Sequence, residues 1–384
     1  MMKKLFTLLA VTIAFSVNAQ TNTNTGTESL NDEDTGTNNS AFGYQSLKSN
    51  ISNKNSAFGA ESLEFNTTGF FNSAFGYQAL QSNTEAKSNS AFGHRSLTSN
   101  TTAEYNSAFG DLALEDNSTG GSNTALGYGV LKNNLEGKFN TAVGSRSMET
   151  NNSDYNTAVG ALALAGDNWG MSITNANHNT ALGYQALSKN EGSRNVATGS
   201  RALKNNTSGN DNVATGYYAL NSNTTASFNT AYGSMSLYSN TGANNTALGY
   251  WSLNSNTTGA NNTAFGYKAE ASANNATNQT VIGYEATGQA DNSVVLGNDD
   301  VTAVYMGEDS GAKVYAGEGS FTGNMTIGGD VVVSSDARLK ANIVSLGSTL
   351  AKLLLIDGKS YTMKKNGKQK IGVLAQDIQK VFPE

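Results

Sequence analysis

The hydrophobic and polar positions of this chain follow one short phrase that repeats between residues 39 and 297. Its first copies read NSAFGYQSLKSN, NSAFGAESLEFN and NSAFGYQALQSN, beginning at Asn39, Asn55 and Asn72. With the glycine as phase marker, the step between copies is 16 or 17 residues, apart from one step of 23 and a last step of 14. Self-similarity at a fixed short period indicates a solenoid, in which one small unit stacks on copies of itself.

Each position of the repeat has its own chemistry. Asn stands four residues before each of the first fourteen glycines, and Ser, Thr or Val and then Ala follow it. The residue before the glycine is usually large and apolar, as in Phe42, although Thr198 and Thr215 interrupt this run. Four residues after the glycine comes Leu, with Met148 as a substitute, and a second Asn follows three residues later in the first seven copies. An apolar residue held in register over sixteen copies argues against a polar, disordered linker.

The repeat is too short for a helix hairpin, and its period-two alternation indicates strands. We therefore predict an all-β parallel β-roll with two strands of about four residues in each turn. Ala and Gly would fill the narrow interior, and the corner asparagines would form amide ladders between coils. A row of phenylalanines would stack on the opposite face: Phe42, Phe58, Phe75, Phe92 and Phe109. Because such an exposed row would be an unusually large apolar patch, we expect other copies of the chain to cover it.

Composition excludes several classes of function. The 384 residues include 41 Gly, one Pro and no Cys, only 14% are charged, and the net charge is −6. Without a basic stripe, nucleic-acid binding is not expected. The absence of Cys removes disulfides, thiol catalysis, zinc–thiolate sites and a lipidated cysteine. His94 and His178 are the two histidines, so we expect no metal site and no cofactor, and we place both on exposed positions of the coils.

The N-terminus has the pattern of an export signal. Residues 1–19 read MMKKLFTLLAVTIAFSVNA, with two lysines before an apolar run and small residues at Val17 and Ala19. The alternative, a membrane anchor, is disfavoured because the apolar run is shorter than a bilayer span. We therefore predict a secreted protein, extracellular or on the cell surface, without a membrane span. Residues 20–38 lack apolar content, which predicts a flexible leader.

Two further segments interrupt or end the repeat, which occupies residues 39–297. The step of 23 residues contains Trp169, and insertions in solenoids often form loops on the binding face. Trp169 would be either an exposed binding contact or a side chain folded back onto the roll. Residues 298–333 are richer in Val and Gly, which predicts a connector in the form of a thin β-stalk.

The Asn-[Ser/Thr]-Ala-hydrophobic-Gly phrase of residues 39–297 resembles the head repeats of trimeric autotransporter adhesins. That resemblance implies a left-handed parallel β-roll packed as a homotrimer, and an adhesin that binds a cell-surface protein or a glycan receptor. The repeat departs from that family in its slightly longer turn, and the chain lacks the family's coiled-coil stalk and C-terminal membrane anchor.

Residues Ser335 to Ile343, SDARLKANI, resemble the entry motif of the intramolecular chaperone domain of phage tail spikes and endosialidases. Lys370 to Glu384, KIGVLAQDIQKVFPE, resembles a helical segment of that domain. The resemblance implies a small α+β chaperone segment at residues 334–384, shortened because the family usually continues with more helix. It also implies a catalytic pair, Ser335 and Lys340, that cleaves the chain between Ser334 and Ser335.

The chemistry of this pair is consistent on its own terms. A serine becomes a nucleophile when a base takes its proton, and a lysine serves as that base once burial lowers its pKa. The competing interpretation makes Ser335 or Asp336 a helix N-cap and Lys340 a solvated side chain.

The sequence therefore predicts a secreted, fibrous, trimeric protein that resembles an adhesin or a tail fibre, whose C-terminal domain directs trimer assembly and cuts itself off before Ser335. The alternative makes that cleavage the main activity, as a single-turnover serine autoprotease. Any enzymatic activity would be, at most, this self-cleaving Ser-Lys endopeptidase. A third interpretation, ice or crystal binding through the row Thr124, Thr141 and Thr157, is disfavoured because the first five copies have Ser there.

Overall fold

The computed structural model describes residues 22–30, 36–166, 173–305, 359–362 and 369–372, and residue 380. The chain divides into two compact units, Met1–Met306 and Gly307–Glu384, which are described separately. The described part of residues 22–305 is all β-strand, turn and bend, without helix.

The first unit is a parallel β-solenoid, as the repeat predicts. Each coil contributes one strand of three residues, and each strand pairs in parallel with the strand of the next coil. The strands are β1 (Thr23–Thr25), β2 (Ser40–Phe42), β3 (Ser56–Phe58), β4 (Ser73–Phe75), β5 (Ser90–Phe92), β6 (Ser107–Phe109), β7 (Thr124–Leu126), β8 (Thr141–Val143), β9 (Thr157–Val159), β10 (Thr180–Leu182), β11 (Val196–Thr198), β12 (Val213–Thr215), β13 (Thr230–Tyr232), β14 (Thr246–Leu248), β15 (Thr263–Phe265), β16 (Thr280–Ile282) and β17 (Val294–Leu296).

The register places identical repeat positions beside one another. Ala57 of β3 lies between Ala41 of β2 and Ala74 of β4, and Phe58 likewise lies beside the phenylalanines of both neighbours. The central residue of these strands points inward and is fully buried, while the residues on either side of it point outward. The alanines and the leucines four residues after each glycine form one continuous core, because both lie inside the coil.

The side of the coil that carries the leucines is not a strand, so the prediction of two strands in each turn is wrong. Gln78 and Leu80 have φ angles of 57° and 53°, in the left-handed region that a strand does not use. The backbone still bonds to the next coil, since Leu80 N–H donates to Ser96 O at 3.0 Å. This left-handed segment brings the leucine inward within the few residues that one turn of the solenoid provides.

The predicted asparagine ladders are present in two columns. In the first, the Oδ1 atom of each asparagine accepts the backbone N–H of the equivalent asparagine in the next coil, as Asn55 does from Asn72 at 3.0 Å. In the second, Asn83 Nδ2 donates to Asn66 Oδ1 at 2.7 Å and to Ala86 O at 3.1 Å. These buried amides satisfy corner backbone groups that would otherwise lose their hydrogen bonds.

The structure adds one coil at the N-terminal end of the repeat. Within residues 20–38, the expected leader, β1 pairs with β2 in the register Thr23↔Ser40, and Leu30 is buried. Asn22, Gly26 and Leu30 have the spacing of the repeat, which is the sequence pattern that identifies this coil. At the other end, residues 298–305 form no strand, and the rest of the predicted stalk lies outside the described residues.

The described part of the second unit comprises Lys380, which is helical as predicted for its segment, and an antiparallel pair of strands, β18 (Lys359–Thr362) and β19 (Gln369–Gly372), with Lys359 opposite Gly372. The segment from Lys370 was expected to be helical, and its first three residues are instead in β19. Ile371 favours a strand and Gly372 disfavours a helix interior, in agreement with this difference.

Candidate functional site

The outward-pointing residues of β1–β17 form one continuous surface, which we call the outer face. It consists of two parallel columns, because the first and third residues of each strand point outward. The first column contains Thr23, Ser40, Ser56, Ser73, Ser90, Ser107, Thr124, Thr141, Thr157, Thr180, Val196, Val213, Thr230, Thr246, Thr263, Thr280 and Val294. The third column contains Thr25, Phe42, Phe58, Phe75, Phe92, Phe109, Leu126, Val143, Val159, Leu182, Thr198, Thr215, Tyr232, Leu248, Phe265, Ile282 and Leu296.

Five phenylalanines of the third column, from Phe42 to Phe109, stack as predicted. Successive ring centroids are 4.6 to 4.8 Å apart, and the ring planes differ by 12° or less. The parallel register imposes this spacing, since equivalent residues of neighbouring coils lie side by side. The rings cover one another's faces, and their edges form an apolar strip on the surface of the single chain.

The apolar character of the third column continues towards the C-terminal end of the solenoid. The exposed fractions are 49% for Leu126, 58% for Tyr232 and 54% for Phe265. No charged residue occurs in either column from β1 to β17, although 14% of the chain is charged. Depletion of charge around a long apolar strip is typical of the centre of a protein–protein interface.

Aromatic residues also line the border of the outer face, at the position just after the glycine. Tyr250, Tyr267 and Tyr284 stack with centroids 5.5 and 5.3 Å apart, and Trp251 stacks on Tyr250 at 5.6 Å. The ammonium group of Lys268 lies over the rings of Tyr267 and Trp251. Apolar and aromatic surface therefore extends beyond the two columns of the strands.

At β11 and β12, the hydroxyl-bearing and the apolar residues exchange columns. The phrases NVATG at Asn195 and Asn212 put Val in the first column and Thr in the third, the reverse of the preceding strands. These two coils are also joined by an ion pair beside the outer face, in which Arg194 binds both carboxylate oxygens of Asp211 at 2.7 Å. The hydrogen bonds from Arg194 hold the pKa of Asp211 below its usual value. In the sequence the two threonines interrupt the apolar run, and their exchange with the valines becomes apparent only because both residues of each strand lie on one face.

Both histidines lie on exposed positions of the coils, as expected. His94 Nδ1 is 2.8 Å from Asp111 Oδ1, and the ring of His178 stacks on that of Tyr155 at 4.9 Å. Within the described ranges, no three His, Cys, Asp or Glu side chains are grouped so as to hold a metal ion. In the same ranges, no helix has the length and hydropathy required to cross a bilayer.

One carboxylate replaces an apolar core residue near the end of the solenoid. Glu270 stands four residues after Gly266, at the position that is Leu in most earlier coils. Burial raises the pKa of Glu270 to about 7, against an opposing contribution from the backbone N–H groups of Ser255 and Asn254. Glu270 therefore titrates close to neutral pH.

The residues predicted for catalysis and binding lie outside the described residues. This applies to Ser335 and Lys340, to the bond between Ser334 and Ser335, and to Trp169. The candidate site that the structure describes is therefore the outer face, which the sequence analysis predicted through its phenylalanine row.

Comparison with known families gives a match for the C-terminal segment. The family model for the chaperone of endosialidase, Peptidase_S74, matches residues 335–384, which include β18 and β19. No curated protein matches the chain in a sequence comparison. The chain thus combines a long parallel β-solenoid with a C-terminal segment similar to the endosialidase chaperone.

Proposed function

We propose that this protein is an exported, trimeric fibre in which the outer faces of three solenoids pack together, and that its C-terminal segment assembles the trimer. The observation that carries the proposal is the outer face itself, with two uncharged columns and a long apolar strip in the third column that is interrupted at β11 and β12. The match of residues 335–384 to the endosialidase chaperone supports assembly into a trimer.

The size of the outer face agrees with a stable interface. Seventeen strands at about 4.8 Å spacing, each about 10 Å long, give a footprint of about 800 Å². A stable protein–protein interface buries about 800 Å² on each partner, and in the trimer each chain buries this area in total, divided between its two neighbours. The occupant that fits best is a second copy of this chain, because an identical solenoid matches the coil spacing along the whole length.

The proposal also gives the chaperone a physical role. Nearly identical coils make a one-coil slip between subunits almost equal in energy to the correct register. Parallel β-structures also fold slowly and expose surfaces that aggregate. A C-terminal segment that gathers three chains in phase would address both difficulties.

The test places charge on the outer face. Light scattering should give a trimer mass for residues 20–384, and the double variant F75K/F92K should give a monomer with an unchanged β-type circular dichroism spectrum. The expected cause is that lysine is solvated in the single chain but buried without a partner in the trimer.

The matched control puts the same two charges on another side of the solenoid, in the adjacent coils of β5 and β6. Thr102 and Thr119 are exposed and lie outside the outer face, so T102K/T119K should remain trimeric. A monomeric wild-type chain, or dissociation of both variants alike, would contradict packing through the outer face.

For the C-terminal segment, we propose hydrolysis of the peptide bond between Ser334 and Ser335. Ser335 would act as the nucleophile, Lys340 as the base that takes the hydroxyl proton, and water would release the two fragments. Cleavage after assembly would remove the segment and slow the return to the unfolded state. The alternative function, a single-turnover autoprotease, uses the same residues.

Gel electrophoresis separates these roles. Wild-type protein should release a fragment of about 5 kDa, the mass of fifty residues of average composition. S335A should remain full length, whereas S334A, which keeps the nucleophile, should still be cut. A full-length band for all three chains would leave only the structural role.

Export and adhesion complete the proposal. The N-terminal pattern supports removal of residues 1–19, so N-terminal sequencing of the exported protein should begin at Gln20. The exposed aromatic residues near the border of the outer face are available to bind a cell-surface protein or a glycan.

A further inference from the structure

We propose that the exchange of Val and Thr at β11 and β12 sets the axial register between the chains of the trimer. This inference rests on the proposed packing of outer faces. It assigns a role to the two V-A-T strands, residues 196–198 and 213–215, that goes beyond the general apolar strip.

Cyclic symmetry determines which columns meet. If three solenoids surround an axis parallel to their own, rotation preserves the left and right sides of each outer face. The first column of one chain then lies against the third column of its neighbour, at the same height along the axis. Each height in the interface therefore combines one residue from each column.

In the correct register, each strand from β2 to β16 lies at the same level as the equivalent strand of the neighbouring chain. Each such contact pairs one hydroxyl-bearing residue with one apolar or aromatic residue. Ser73 of one chain meets Phe75 of its neighbour, and Thr141 meets the neighbour's Val143. At β11, Val196 meets the neighbour's Thr198. The exchange at β11 and β12 therefore leaves the in-phase interface as complementary as it is elsewhere.

A slip of one coil disturbs this pairing only at the borders of the two V-A-T strands. When the neighbouring chain is displaced by one coil in one direction, Thr180 of the first chain meets the neighbour's Thr198, and Val213 meets Tyr232. When it is displaced in the other direction, Val196 meets the neighbour's Leu182, and Thr230 meets Thr215. Each slip thus creates one contact between two threonines, which have too little volume to fill the space, and one contact between two apolar or aromatic residues, which have too much. Both kinds of volume mismatch are destabilising.

The strands from β2 to β10 discriminate little between registers. The coils of β2 to β6 all present Ser in the first column and Phe in the third, so a slip among them replaces each contact by an identical one. From β7 to β10 the first column is Thr throughout and the third varies between Leu and Val. Two adjacent exchanged strands therefore provide a register mark that the repeat itself lacks.

The local structure holds these two coils together. The bidentate pair of Arg194 and Asp211 links the coil of β11 to that of β12 on one border of the outer face. Beyond the other border, the guanidinium of Arg201 lies over the rings of Tyr184 and Tyr218. The two V-A-T strands are thus fixed relative to each other by contacts within the chain.

Disulfide mapping tests the register directly, because the chain has no cysteine of its own. Two differently tagged full-length chains are produced together, one carrying T246C in the first column. The other carries L248C, which is in phase, or F265C or Y232C, which are one coil out of phase. The mixed disulfide on a non-reducing gel reports the register, and the wild-type background should form it with L248C only.

The variant V196T/T198L/V213T/T215L makes both coils like their neighbours and should still be trimeric. Its ratio of in-phase to out-of-phase disulfide after refolding should fall by about tenfold, the effect expected from a few mismatched contacts. The matched control T141S/V143L/T157S/V159L keeps the order of the columns and should behave as wild type.

A second variant moves the pair of V-A-T strands by one coil, and its result does not depend on that of the first variant. V196T/T198L/T230V/Y232T places the V-A-T strands at β12 and β13. Mixed with a wild-type chain carrying T246C, it should form the disulfide through F265C, one coil out of phase.

The outcomes separate the two proposals. In-phase disulfides in both variants would overturn the register assignment and leave the trimeric fibre standing. A trimer whose wild-type chains form none of these disulfides would show that the outer faces do not meet, and would overturn both.

Discussion

At the residue scale, the solenoid depends on backbone conformations that few residues adopt. Gly93 has a φ angle of 146°, and a Cβ atom there would overlap the backbone carbonyl of Gly110 in the next coil. The glycine column therefore sets how closely neighbouring coils approach. Gln78 and Arg95, two residues after their glycines, also have positive φ angles, but their side chains find partners in neighbouring coils: Gln78 donates to Glu61 Oε2 at 2.8 Å, and Arg95 pairs with Glu115 at 2.8 Å.

We expect G93A to destabilise the solenoid by about 3 kcal/mol or more, since it adds both backbone strain and a backbone clash. G129A is the matched control, because Gly129 has a φ angle of 60° and its added Cβ would lie 3.7 Å from the nearest atom, in the side chain of Arg146. It should cost only about 1 kcal/mol. Denaturant midpoints measure both, and equal losses would contradict the packing role of the glycine column.

Glu270 predicts a pH dependence. Its pKa is about 7 in the folded chain against an ordinary value of 4.5, so the folded state binds the proton more tightly than the unfolded state. Stability from this group is therefore highest at acidic pH and falls as pH rises from about 4.5 through 7. The expected loss between pH 5 and pH 8 is about 2 kcal/mol, reduced from the full shift because the carboxyl group is partly exposed.

The measurement compares denaturant midpoints at the two pH values. E270Q should lose this part of the pH dependence, while E285Q, which changes an exposed carboxylate paired with Lys268, should retain it. An unchanged slope in E270Q would show that another group is responsible.

At the element scale, the asparagine ladders stabilise the corners where strands cannot. Asn100 donates to Asn83 Oδ1 and Ala103 O, both at 3.0 Å, and accepts from Asn117 at 2.9 Å. Its amide is fully buried, so its removal would break three hydrogen bonds away from water. Asn83 Oδ1 would lose its donor, while Ala103 O would keep the bond from Asn89 and Asn117 Nδ2 would keep its bond to Gly120 O.

We therefore expect N100A to cost about 3 kcal/mol. Asn134 offers a natural comparison in the same ladder: it donates to Asn117 and Gly137, but its Oδ1 atom has no hydrogen-bond partner among the described residues. N134A should cost about 1 kcal/mol less, the value of one such bond. A larger loss for N134A in the same denaturant series would contradict the ladder account.

These elements also show what the sequence can predict. The asparagine ladder and the phenylalanine stack follow from periodicity, because a parallel register places each side chain beside its own equivalent. The left-handed conformation of Leu80 does not follow, since local propensity disfavours positive φ for leucine and only the bonds between coils and the burial of its side chain favour it. The first coil was missed because Asn22, Gly26 and Leu30 keep the spacing of the repeat without its Ala and Phe.

At the scale of the whole molecule, the outer face was predictable as an apolar row, but its partner was not. A single sequence specifies which side chains point outward and gives no direct information on what covers them. The exchange at Val196 and Thr198 was visible in the sequence, yet it acquires meaning only when the strands show that both residues share one face. Ser335 and Lys340 remain a prediction from resemblance.

The nearest-neighbour pairing of coils has a mechanical consequence. A chain pulled from its two ends would release one coil at a time, because each strand is hydrogen-bonded only to the strands of adjacent coils. Each rupture would lengthen the tether by about 55 Å, the contour of some seventeen extended residues less one strand spacing. Single-molecule force spectroscopy should therefore record a series of unfolding steps with equal gains in extension, and one longer step where the coil of 23 residues unfolds.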